Sequence, residues 1–157
     1  MLYEHLMKRH NCNDMRAFSR EGFRRLLAMP GVILFRALKN GKTVGAQVVL
    51  LSGEVAHVHL AAFMPEGYKS GASYFLDWHA LDYLRDRARF LNLGGGTGIG
   101  DTDTDGLARY KQGWSTEWRT TYLLGAVLDP TVYEQLGGGN SNGVSNYFPR
   151  YRAGEYS

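Results

Sequence analysis

The sequence has few of the features that mark secreted, membrane-spanning or disordered chains. Its 157 residues include a single cysteine, Cys12, so no disulfide can form within the chain and a reducing cytoplasm is expected. No apolar run approaches the ~20 residues that cross a bilayer. The first residues also lack the charged-then-apolar order of a secretory signal. These absences predict a cytoplasmic protein that does not insert into a membrane.

Neither sign of charge dominates the sequence. The net charge is +3, hydrophobic residues make up 44% of the chain and charged residues 21%, which are ordinary values for a folded globular domain. The slight basic excess suits an anionic ligand, but it is too small to predict DNA binding.

The length and the distribution of residue types indicate the domain organisation. The chain is near the commonest size for one domain, and its composition shifts to Gly, Asn and Ser from Gly137 onward. We therefore expect a single domain over residues 1–136. The remaining residues, 137–157, are expected to form a tail that packs on this domain or on a partner chain.

The first half of the chain predicts two short helices followed by a β-meander. Apolar residues at helical spacing occur in two groups, the second with Ser19 as N-cap and Pro30-Gly31 as its stop. Three β-branched and apolar runs follow, and the Asn40-Gly41 pair between the first two is typical of a tight hairpin turn. The predicted strands are Val32–Leu38, Val44–Leu51 and Val55–Phe63.

The second half predicts alternating helices and strands. The expected elements are a loop over residues 65–73, a helix from Ala72 to about Ala88, a strand Arg89–Leu93, a helix through Lys111, a strand Thr116–Leu128 and a helix Pro130–Leu136. A meander that leads into a β-α-β crossover gives an α/β (α+β) fold. Its sheet is expected to be mixed and mostly antiparallel, with helices on both faces.

The loop before the long helix has the composition of an anion site. Gly67-Tyr68-Lys69-Ser70-Gly71-Ala72-Ser73 combines small residues with one lysine at a helix N-terminus, where free N–H groups and the helix dipole favour a phosphate. The same glycines are equally typical of an ordinary strand-to-helix turn. Spacing alone leaves both interpretations open.

Two other loops resemble ligand motifs only in part. The run Gly94–Gly100 lacks both the dinucleotide spacing and a Walker lysine. The run Asp101–Asp105 matches the first half of a calcium loop, but the twelfth position is Gln112, which cannot supply the bidentate carboxylate. A solvated acidic turn explains it better, and no metal is expected.

Histidines and a Tyr-Lys pair are the candidate catalytic groups. His57 and His59 alternate on the third strand, and His79 lies on the long helix. Such residues serve as a general base, contribute to a metal site or, most often, form hydrogen bonds in a core or cleft. Tyr110-Lys111 ends a helix just before Gly113-Trp114, where a lysine can stabilise an oxyanion or simply compensate the helix dipole.

Taken together, these segments resemble the GNAT N-acetyltransferase superfamily, and within it the FemAB-like group. The matching stretches are Pro30–Leu38, Gly67–Tyr74, Leu91–Gly96, Asp105–Trp114 and Tyr147–Arg152. The resemblance covers nearly the whole chain, and the lysine-containing helix is its most specific part.

The resemblance implies the GNAT fold and transfer of an acyl group to an amine acceptor. The donor would be acetyl-CoA, another acyl-CoA or an aminoacyl-tRNA. The residues expected to bind it are Lys69, Ser70, Gly71, Ala72 and Ser73. Tyr110 and Lys111 would lie close to the transfer centre, and His59 is the expected base.

Three departures from the family pattern keep a second hypothesis open. Tyr68 stands where the donor loop usually has Gln or Arg, and Arg109 stands where many acetyltransferases have a catalytic tyrosine. FemAB-like enzymes usually contain two GNAT units, whereas this chain resembles only the second and lacks the usual first strand. The alternative is a non-catalytic GNAT-fold module that forms a homodimer or pairs with another GNAT unit.

Overall fold

A computed structural model describes residues 2–9, 18–96, 106–122, 124–137 and 148–152. The chain divides into two compact units, Met1–Gly94 and Gly95–Ser157. Among the described residues, the first unit holds the four-stranded β-sheet and four helices, and the second holds two α-helices and a short 3-10 helix. One domain over residues 1–136 with a separate tail stays a prediction.

Capping residues set the limits of the first helices, α1 (Leu2–Arg9) and α2 (Arg20–Ala28). The Ser19 hydroxyl accepts a hydrogen bond from the Gly22 N–H at 3.0 Å, which satisfies one of the free donors at the start of α2. The helix ends before Pro30. The predicted N-cap and stop signal are therefore confirmed.

The β-meander forms where β-branched residues and turn residues predict it. Strands β1 (Val32–Lys39), β2 (Lys42–Ser52) and β3 (Val55–Phe63) pair antiparallel. Asn40 and Gly41 both have positive φ angles, 51° and 75°, as a type I′ hairpin turn requires.

A parallel strand forms the edge of the sheet opposite β1. After α3 (Pro65–Lys69) and α4 (Ala72–Leu84), the chain returns as β4 (Phe90–Asn92), which pairs parallel with β3. The strand order is β1-β2-β3-β4. The sheet is thus mixed and mostly antiparallel, as predicted.

One face of the sheet packs against α4. Residues at every fourth position of α4, including Leu76, are buried against sheet residues such as Phe35 and Val49. This spacing keeps one stripe of the helix on the sheet through three turns. The hydrophobic core of the first unit therefore lies between α4 and the sheet.

The opposite face of the sheet packs against α1 and α2. Leu2 and Tyr3 of α1 and Phe23 and Leu27 of α2 meet the sheet side chains that point away from α4. An aromatic cluster of Tyr3, Phe18 and Phe23, with ring centroids 4.8–6.2 Å apart, fills the junction of these two helices. Helices accordingly lie on both faces, which confirms the predicted architecture.

Two boundaries differ from the prediction in this unit. Residues 65–69 form the short helix α3, not a loop, because Pro65 fixes a helical φ at its first position. The long helix ends at Leu84, not near Ala88. The Arg87 and Ala88 N–H groups both donate to the Leu84 carbonyl at 2.8 Å, so a turn follows the helix.

The second unit contains helices α5 (Gly106–Gln112) and α6 (Pro130–Leu136). The Asp129 side chain caps α6 by accepting from the Val132 N–H at 3.0 Å. In the tail, Arg150 donates from its backbone N–H to the Tyr133 hydroxyl at 2.8 Å and forms an ion pair with Glu134.

The strand predicted over Thr116–Leu128 is wrong for the part of this segment that the structure describes. Residues 116–122 and 124–128 adopt no strand conformation. The segment is rich in strand-forming residues, but a strand exists only where a neighbouring strand accepts its backbone hydrogen bonds. Among the described residues, none pairs with it.

The helices of the described ranges are short, and none has the length and apolar content needed to cross a bilayer.

We expect Leu76→Ala to lower the free energy of unfolding by about 2–5 kcal/mol, because it leaves a cavity in the core between α4 and the sheet. Leu81→Ala removes the same atoms from a side chain of α4 that is 38% exposed and should cost less than about 1 kcal/mol. Urea unfolding of both variants measures the difference, and equal losses would contradict this assignment of the core.

Candidate functional site

The predicted donor segment lies between the end of β3 and the start of α4. Gly71 adopts a left-handed conformation, φ 69° and ψ 25°, which turns the chain from α3 into α4. The N–H groups of Ala72 and Ser73, in the first turn of α4, have no acceptor in the described ranges. The exposed Lys69 is the last residue of α3. The structure therefore brings a lysine, a left-handed glycine and free N–H groups into one short segment.

Close backbone approach holds this segment against the sheet. A Cβ atom added to Gly67 would lie 2.1 Å from the Val44 carbonyl oxygen, so only glycine fits there. The Met64 N–H donates to the same oxygen at 2.9 Å. Gly67 therefore packs α3 on β2 and is not available to admit a ligand, which the sequence pattern alone did not reveal.

Tyr68 is the residue that replaces the Gln or Arg of the family pattern. Its ring lies 5.3 Å from the Phe63 ring, and the Arg9 guanidinium carbon lies 4.7 Å from its centroid. This is cation–π geometry. A guanidinium is thus present beside the predicted donor loop, but it comes from α1, 59 positions earlier in the chain.

Strand β3 loses its outer neighbour partway along its length. It pairs with β4 only over Val55–His57. From residue 58 to residue 63, β2 lies on one side, and no strand in the described part of the chain pairs on the other. The open edge of β3 therefore leads directly to α3 and the donor segment.

His59 lies at a β-bulge on this open stretch. In the pairing of β2 with β3, Val48 faces Leu60 and Val49 faces Val58, so His59 is the extra residue. A bulge leaves one residue outside the regular ladder and redirects its side chain. The imidazole contacts the Phe18 ring edge-on at 6.0 Å, which places it on the α1/α2 side of the sheet.

The structure places His59 and His79, which the sequence analysis considered for one metal site, on opposite sides of the sheet. His79 contacts the Phe35 ring at 5.5 Å on the α4 side of the sheet, whereas His59 lies on the α1/α2 side. A metal site that combines these two side chains is therefore not formed. His79 also stacks on Phe75 at 6.3 Å, and both of these residues are exposed.

Tyr110 and Lys111 lie in the second unit, at the end of α5. The Lys111 ammonium donates to the Gly95 carbonyl, and its own carbonyl accepts from the Ser115 hydroxyl at 2.8 Å. Both side chains are half-buried. Their catalytic role stays a prediction. The acidic run Asp101–Asp105 lies outside the described residues.

A buried polar pair that the sequence analysis did not predict joins β2 to α4. Gln47 of β2 is 3% exposed and donates from Nε2 to Oδ1 of the buried Asp77 of α4 at 2.6 Å. Oε1 of Gln47 has no hydrogen-bond partner among the described residues. The bond constrains the rotation of α4 on the sheet, since breaking it would remove the acceptor of the buried Gln47 amide nitrogen. In the sequence, the one indication of this buried pair is the acidic Asp77 between the apolar residues Leu76 and Trp78.

An open groove of about 760 Å³ lies between α1, α2 and the sheet face that they cover. Its charged lining residues are three cations, Lys8, Arg20 and Arg36, and one carboxylate, Glu4. Below the groove is a small apolar pocket of about 90 Å³. The groove and the pocket share the lining residues Leu2, Tyr3, Phe23 and Ala46.

Residues 1–112 match the family model of the acetyltransferase (GNAT) domain. The chain belongs to this family. The match includes the sheet, the donor segment, the bulge at His59 and the helix with Tyr110 and Lys111. It does not distinguish the FemAB-like group from other members.

Two solved structures share the fold. An aminoglycoside acetyltransferase, HMB0005, from an uncultured soil metagenomic sample is 17% identical, with 80% of this chain and 88% of that chain covered and a TM-score of 0.60. The aminoglycoside acetyltransferase meta-AAC0020, also from an uncultured soil metagenomic sample and in complex with sisomicin, is 13% identical. The alignment covers 82% of this chain and 86% of that one, with a TM-score of 0.60. No curated protein sequence matches this chain.

We expect Gly67→Ala to destabilise the fold by about 1–3 kcal/mol, because its methyl group would collide with the Val44 carbonyl and push α3 off the sheet. Gly106→Ala is the matched control, since an added Cβ there meets nothing within 4 Å. Thermal unfolding compares the two. Equal stability of both variants would show that α3 does not depend on this contact.

Proposed function

We propose that the protein transfers an acyl group from an acyl-CoA to an amine. The observation that carries this proposal is the open edge of β3. Over residues 58–63 the strand has no outer partner in the described ranges, and it contains a bulge at His59 and ends beside the N-terminus of α4. An extended donor can lie along such an edge and reach the free N–H groups of the helix with its anionic end.

The chemistry of the donor segment supports an anionic ligand. Backbone N–H groups of Ala72 and Ser73 would donate to a pyrophosphate, and Gly71 leaves its approach clear. Lys69 adds a mobile charge. Arg9, held over the Tyr68 ring at 4.7 Å, supplies a cation beside position 68, where the resemblance implies Gln or Arg.

The reaction would proceed at the open stretch of β3. The thioester carbonyl lies along residues 59–63, and the acceptor amine attacks it. A C–N bond forms as the C–S bond breaks, and CoA leaves as the thiolate. His59 takes the proton from the amine, directly or through water, and returns it to the thiolate. Lys111 and Tyr110 are proposed to assist this step, on the resemblance alone.

The acceptor and the FemAB-like assignment are the finer parts of the proposal. A FemAB-like enzyme would take an aminoacyl group from an aminoacyl-tRNA, whose phosphates suit the same helix end. Two structural neighbours are described as aminoglycoside acetyltransferases, so an aminoglycoside belongs among the amines that an activity assay would screen.

Isothermal titration with acetyl-CoA and free CoA tests the donor site. We expect micromolar binding that Lys69→Glu abolishes, because the variant places a carboxylate beside the anionic donor. Arg85→Glu makes the same charge change at the other end of α4, about 20 Å away along the helix, and should bind normally. The exposed ion pairs of Arg85 with Asp82 and Asp86 contribute little to stability.

Two results of this titration would contradict the proposal. Equal binding by wild type and Lys69→Glu would put the donor away from α4. No binding at millimolar ligand would rule out the CoA-dependent activity and leave an aminoacyl-tRNA donor or a non-catalytic role.

Substitution of the proposed base should affect the chemical step and not donor binding. We expect His59→Gln to lower kcat by about 10²–10⁴-fold, the contribution typical of a general base, with an unchanged Kd for CoA. Lys111→Ala should lower kcat by about 10²–10³-fold if it stabilises an oxyanion. His79→Gln is the control on the opposite sheet face. Thiol release with a screened amine measures all three, and full activity of His59→Gln would exclude its role as base.

One observation favours the alternative of a non-catalytic pairing module. Strand β1 is at the edge of the sheet and has no outer neighbour in the described part of the chain. Its backbone groups are therefore open to a strand of a second copy or of another GNAT unit. A homodimer measured by light scattering, together with absent CoA binding, would favour this function over the acyltransferase.

A further inference from the structure

We infer that the acceptor is an amine joined by an apolar spacer to a carboxylate, bound in the groove between α1, α2 and the sheet. The inference deepens the proposed function and depends on it for the transfer step. Binding of the acceptor to the groove does not depend on it and is measured without a donor.

The charges of the groove select an anionic group. Lys8, Arg20 and Arg36 line it against one carboxylate, Glu4. The N-terminal ammonium and, after it, Arg20 and Lys8 lower the pKa of the exposed Glu4 carboxyl, so this one carboxylate faces several cations. Arg36 makes no hydrogen bond or ion pair with any residue in the described ranges. A planar guanidinium that has no acceptor among the described residues suits a carboxylate, whereas a polycation would meet like charge.

The strand register explains why the guanidinium is accessible. Arg36, Ala46 and Ala62 lie in one row across β1, β2 and β3. The two alanines are too small to fill the space above the sheet beside the arginine. A ligand carboxylate can therefore reach Arg36 along the sheet surface.

The proposed base, His59, lies on the same side of the sheet as Arg36 but some distance from it. His59 lies three residues before Ala62 on β3, which is roughly 10 Å along the strand, and Arg36 is two strands away, roughly another 10 Å. An α-amino acid is too short to join groups at this separation, so the amine and carboxylate should be several bonds apart.

The surface between the two ends is apolar. The small pocket below the groove is lined by aliphatic and aromatic side chains, including Leu34, Val48 and Leu60. Phe18, which lines the groove, also contacts the His59 ring. An alkyl spacer buried there would gain hydrophobic free energy, while its amine end lies near His59.

The test is titration of the protein, without donor, with ε-aminocaproate and its matched amide, ε-aminocaproamide. The acid should bind about tenfold more tightly than the amide, because only the acid pairs with Arg36. Arg36→Gln should remove this difference. Arg24→Gln is the control, since Arg24 pairs with Glu21 on α2 and does not line the groove.

Three outcomes would overturn the inference. These are equal binding of acid and amide, tighter binding of the polycation spermidine than of ε-aminocaproate, and no binding of ε-aminocaproate at millimolar concentration by a protein that binds CoA. Failure of the proposed function looks different. The protein would then bind ε-aminocaproate through Arg36 but would not bind CoA or acylate the amine.

Discussion

The candidate site depends on the short pairing between β3 and β4. Parallel hydrogen bonds join these strands only over Val55–His57. Because β3 continues to Phe63, its later residues have β2 on one side and, among the described residues, no paired strand on the other. The bulge at His59 falls on this stretch, and the chain then enters α3 and α4. One local limit on strand pairing thus exposes the edge, the histidine and the helix N-terminus on which the proposed chemistry depends.

Packing on both faces of the sheet holds this arrangement in place. On one face, Leu76 and its neighbours fix α4 to the sheet, and the Gln47–Asp77 hydrogen bond sets the rotation of the helix. Near the start of β2, the contact of Gly67 with the Val44 carbonyl sets the position of α3. The donor segment is therefore held between two packed helices, which reduces the entropy that a ligand must offset on binding.

The two faces have different roles in the proposed function. The α4 face is a packed, mostly apolar core, whereas the α1/α2 face keeps an open groove lined by cations and aromatic rings. Arg9 and Lys8 are consecutive residues of α1, and the first lies on Tyr68 while the second lines the groove. Helix α1 therefore connects the proposed donor and acceptor sites. A single helix can supply charge to both the donor and the acceptor site because its side chains project in different directions.

Short-range sequence signals by themselves determined much of the secondary structure of this protein. The Ser19 cap, the Asn40-Gly41 turn, the limits of β3 and the helix Pro130–Leu136 follow from short-range signals, and so does the GNAT resemblance. Tertiary structure decided the rest. The segment Thr116–Leu128 has strand propensity, but among the described residues no strand pairs with it, and Gly67 packs α3 on β2. The approach of Arg9 to Tyr68 and the row of Arg36, Ala46 and Ala62 join residues far apart in the chain. Such contacts depend on register and helix position, which no local pattern encodes.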